Sequence, residues 1–202
     1  MRLEELNLSY NKMTQQDGLI LSRILASTGT CAALGLAGCG LAGQTIAACL
    51  ASLLSNESLQ FYARLDVSDN NIGCEAAIMF ASIFVLTDRI MSLKLNNCDL
   101  THEGMGYVLM ALLTQPRLKL LEIDYNCKRS QWNSGKYHVN DMLRKLLEKC
   151  LNLESLSIKN DPERGYQVDL DQFLNVLKTN DSLISLDITG NSMTNDNLAA
   201  LK

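Results

Sequence analysis

The chain has 202 residues, of which 47% are hydrophobic and 20% charged, and its formal net charge is −4. That composition can bury a substantial core and excludes a low-complexity or strongly basic chain, so a nucleic-acid partner is not expected. The longest apolar runs, residues 47–54 and 76–86, are too short to span a bilayer, and no membrane contact is expected of this segment.

The first predicted element lies in residues 1–13, MRLEELNLSYNKM. Leu3, Leu6 and Leu8 stand at alternate positions, and Asn11 and then Met13 follow. This is the leucine-rich-repeat pattern. The leucines point inward from a short parallel strand, the asparagine caps backbone groups where the chain turns, and a helix covers the other side. One unit cannot bury its own apolar face, so neighbouring units must stack around a continuous core.

Along the chain, the Leu6 position returns at Leu34, Leu65, Leu93, Leu121, Leu156 and Leu186, at intervals of 28, 31, 28, 28, 35 and 30 residues. The base period is 28, and three units carry insertions. Helical stripes fall between the strands. They comprise Ile46, Leu50, Leu53 and Leu54; Gly104, Val108, Leu109, Leu112 and Leu113; Met142, Leu143, Leu146 and Leu147; and Leu170, Phe173, Leu174 and Leu177. Spacings of three and four give each helix one apolar face.

The expected fold is an α/β leucine-rich-repeat solenoid, with a parallel sheet on the concave face and helices on the convex face. The period and the full helix per unit resemble the ribonuclease-inhibitor-like horseshoe class. Residues 1–202 are expected to form one repeat domain of about seven units. Met1 starts in a strand and Lys202 ends in a helix, neither with a polar capping unit, so the domain is expected to be a fragment of a longer solenoid.

Seven cysteines, an odd number without CxxC spacing, argue against a disulfide framework and a zinc site, and fit a reducing, intracellular compartment. Cys39 and Cys98 fill the slot that Asn11 fills in the first repeat. Gly38, Gly40 and Gly43 spell GxGxxG between a strand and a helix, but they fall on repeat positions and are expected to form an ordinary turn. The sequons at Asn7, Asn56 and Asn180 have no secretory signal to give them meaning. His102 and His138 sit in different repeats without a catalytic partner and are expected on the solvated surface. No catalytic residue, cofactor or metal site is expected, and the chain is expected not to be an enzyme.

The residues alternating with the strand leucines are small or polar: Glu5, Asn7, Ser9; Ala33, Gly35, Ala37; Arg64, Asp66, Ser68; Ser92, Lys94, Asn96; Glu122, Asp124; Ser155, Ser157, Lys159; and Ser185, Asp187, Thr189. They form the concave face and include no aromatic. The insertions differ. One, after Asn126, carries Lys128, Arg129, Trp132, Lys136 and Tyr137, and the next carries Arg164 and Tyr166. Both follow a strand and precede a helix, so they are expected side by side on one edge, where they either seal their own loops or contact a protein partner.

The order of regular and irregular units is itself a fingerprint. NESLQFYARLDVSDNNIG, the expanded unit from Asp124 to Leu156, LESLSIKNDPERG and NDSLISLDITGNSM together resemble successive repeats of the CARMIL family, the leucine-rich linkers of actin capping protein and class I myosin. The resemblance implies a non-catalytic scaffold of the cytoplasm, at the cytoskeleton or cell leading edge. It also implies that the parent protein engages actin capping protein and class I myosin through regions beyond these repeats. A GTPase activator of the Ran type, using Arg129 or Arg164, is the alternative from a different class, though its acidic tail has no counterpart here. A sensor or inhibitor repeat module is a third reading.

Overall fold

A computed structural model of the chain describes residues 3–56, 62–127, 138–163, 168–191 and 193–200. Its elements alternate strictly. The strands are β1 (Glu5–Asn7), β2 (Ala33–Gly35), β3 (Ala63–Asp66), β4 (Ile90–Lys94), β5 (Leu120–Glu122), β6 (Ser155–Ser157) and β7 (Ser185–Asp187). The helices that follow them in turn are α1 (Gln15–Ser27), α2 (Gly43–Leu54), α3 (Gly73–Phe84), α4 (His102–Leu112), α5 (Val139–Lys149), α6 (Leu170–Leu177) and α7 (Asn195–Ala200).

The strands form one parallel sheet in sequence order. Its register pairs Leu6, Leu34, Leu65, Leu93, Leu121, Leu156 and Leu186 in a single line, as the alternation of apolar residues predicts. The 35-residue interval between Leu121 and Leu156 leaves that line unbroken, because the extra residues lie outside the strands. From Leu34 to Leu156 these leucines are almost fully buried, whereas Leu6 and Leu186, at the ends of the stack, are only partly covered. Each fully buried leucine contributes about 1.5–3 kcal/mol relative to exposure. The solenoid core is therefore strongest in its middle.

The asparagine slot works as a ladder. Asn70 Nδ2 donates to the carbonyls of Leu36, Val67 and Ser68 at 2.8, 3.0 and 3.0 Å, and its Oδ1 accepts from Gly40 N. Asn126 does the same one pair of repeats later, donating to Leu95, Ile123 and Asp124 and accepting from Cys98 N and Leu100 N. In repeats 2 and 4 the thiol stands in. Cys39 Sγ reaches Leu8 O at 3.1 Å, and Cys98 Sγ reaches Val67 O at 3.4 Å. Each slot satisfies carbonyls that would otherwise be buried without partners.

A second ladder closes the helix ends. Asn56 Nδ2 donates to Leu25 O and Ala26 O, Gln115 Nε2 to Phe84 O and Thr87 O, and Asn180 Nδ2 to Leu147 O. Each side chain thus caps the helix of the preceding repeat. This gives the sequons at Asn56 and Asn180 a structural role.

The glycines of GxGxxG have separate tasks. Gly38 and Gly40 adopt positive φ in the turn, and Gly43 opens α2, where an added Cβ would lie 2.4 Å from Ala76 Cβ and 2.6 Å from Ile72 O. Among the described residues no helix is long and apolar enough to cross a membrane.

Candidate protein-interaction surface

The edge residues singled out in the sequence, Lys128, Arg129, Trp132, Lys136, Tyr137, Arg164 and Tyr166, lie outside the described residues. Their flanks are described. Cys127 is tied to the neighbouring repeat through its N–H to Leu100 O, and His138 is the N-cap of α5. Asp169 N donates to Asn140 Oδ1 at 3.1 Å, joining the start of α6 to the start of α5.

One histidine differs from expectation. His138 is exposed, but His102, at the start of α4, is only 4% exposed. Burial, reinforced by the charge of His138, pushes the His102 imidazole below its ordinary value. The cysteines are likewise packed away, apart from the half-buried Cys74. Burial raises the thiols of Cys49 and Cys150 to about 11 and those of Cys98 and Cys127 to about 12. Such thiols stay protonated at neutral pH and are poor nucleophiles.

The alternation of the strands turns the small and polar residues to the concave face, in rows set by the register. One row runs Glu5, Ala33, Arg64, Ser92, Leu120, Ser155, Ser185, and the next runs Asn7, Gly35, Asp66, Lys94, Glu122, Ser157, Asp187. The half-buried Leu120 adds an apolar member absent from the sequence-based set. Lys94 pairs with Glu122 at 2.8 Å, and Lys159 bridges Asp124 at 3.5 Å and Asp187 at 3.2 Å. Arg64 lies 3.8 Å from Glu5.

Part of this polarity serves the fold. Ser9 Oγ accepts from Ala37 N, Ser68 Oγ from Asn96 N, Asn96 Oδ1 from Asp124 N, and Asp124 Oδ1 from Lys159 N. A polar side chain of one repeat thereby holds the backbone of the next.

Beyond this row the chain turns at positive φ through Tyr10, Gly38, Asp69, Asn97, Tyr125 and Gly190. Two exposed tyrosines stand here, Tyr10 at 73% and Tyr125 at 53%. Neither was singled out from the sequence, although each lies four positions after a strand leucine and one before the asparagine slot. Tyr10 Oη donates to Asp69 Oδ2 and Asn97 Nδ2 donates to Asp69 Oδ1, both at 2.9 Å.

The family model described as Leucine Rich repeat matches residues 64–81. Protein CARMIL of Dictyostelium discoideum is 26% identical over 195 residues, covering 95% of this chain. The chain spans 18% of the length of that relative. Among solved structures, "Leiomodin-1 Actin-Binding Site 2 (ABS2)" aligns with a TM-score of 0.49 and 16% identity, over 88% of this chain and 80% of the other. The chain is a leucine-rich-repeat solenoid that resembles CARMIL along almost its whole length.

Proposed function

We propose that the chain is a non-catalytic protein-interaction module of a CARMIL-like regulator of actin capping protein and actin assembly. The observation that carries the reading is the match to CARMIL over 95% of the chain, whose longest interval leaves the leucine line undisturbed. Because the chain spans 18% of that relative, the partners are proposed for the parent protein: actin capping protein and class I myosin, met in the cytoplasm at the cytoskeleton or leading edge. The repeats would supply a rigid surface for docking.

The edge formed by Lys128, Arg129, Trp132, Lys136, Tyr137, Arg164 and Tyr166 belongs to the same proposal, as a contact to a partner or to another domain of the parent. Aromatic and arginine side chains dominate binding energy at protein interfaces, which supports the choice.

The test uses the full-length parent, immobilised and exposed separately to purified capping protein and purified class I myosin. Retention of either is expected, and retention of neither would overturn the reading. The parent carrying Trp132→Ala and Arg164→Ala is expected to lose at least one interaction of the wild type, and an unchanged set would remove the edge from the proposal. Hydrolysis of GTP by small GTPases is expected to proceed at its unassisted rate, and acceleration would favour the activator class instead.

A further inference from the structure

We draw no further inference here: the strongest candidate, the exposed apolar face of the helical layer at Ile20 and Ile24 of α1 and Ile78 and Met79 of α3, is an unpartnered surface, and nothing in the structure shows what covers it.

Discussion

At the scale of single residues, Tyr10 offers a direct test of local backbone strain. Its side chain is exposed and its backbone left-handed. Substitution by glycine relieves that backbone and removes the exposed hydrogen bond to Asp69, two small effects of opposite sign. The unfolding free energy of Tyr10→Gly should therefore match or slightly exceed that of the wild type in a denaturant titration. A clear loss of stability would mean that the ring is a structural strut.

His102 gives the chain a pH-dependent term. Its imidazole is depressed below the ordinary value of 6.5 by burial, so on acidification the unfolded chain takes up this proton before the folded one does. Stability from this residue is full above 6.5 and declines as the pH falls below it. Denaturation midpoints measured at about pH 8 and about pH 5.5 should differ more for the wild type than for His102→Gln. An equal difference would assign the acid sensitivity to other groups.

Asn126 is the third such case, with five hydrogen bonds to buried backbone groups. Replacing it with alanine leaves those groups without partners and should cost about 3 kcal/mol by thermal or chemical denaturation. Asn126→Cys should recover part of that loss, because Cys39 and Cys98 already serve in the same slot. No recovery would show that the slots are not interchangeable.

At the scale of elements, the spacing of neighbouring helices is set by their smallest contacts. Gly43 allows α2 to approach α3 so closely that Gly43→Ala would drive its Cβ into Ala76 and the Ile72 carbonyl. A destabilisation of about 1–3 kcal/mol is expected. Adding Ala76→Gly should restore part of it in a double-mutant cycle, and additive losses would place the strain on the Ile72 carbonyl instead.

The strands were legible in the sequence because alternate leucines and a recurring asparagine or cysteine leave one register that turns every strand leucine toward the core. Insertions did not obscure this, since they lengthen connections and leave the strand pattern alone. The burial of His102 was not legible, because it depends on which repeat lies against the start of α4. Nor was the structural use of Ser9, Ser68, Asn96 and Asp124, whose backbone partners lie a whole repeat away in sequence. Tyr10 and Tyr125 were missed because aromatic residues are not anticipated in a left-handed turn.

At the scale of the whole molecule, the concave face is useful as a docking surface only if the stack beneath it is continuous. The surface of the helical layer changes along that stack. α2 carries no charged residue, whereas α5 presents Asp141, Arg144, Lys145, Glu148 and Lys149. The sheet register and the buried core nevertheless run through both halves. The largest interval, between β5 and β6, is where a break would occur if the extra residues weakened the stack.

Amide hydrogen exchange across the 202-residue chain tests that continuity most directly. One protected block should span β2 to β6, slowest in the middle and faster toward β1 and β7, with β5 and β6 opening at the same denaturant concentration. Two blocks that open independently on either side of residues 128–137 would contradict a single solenoid and the interaction surface built on it.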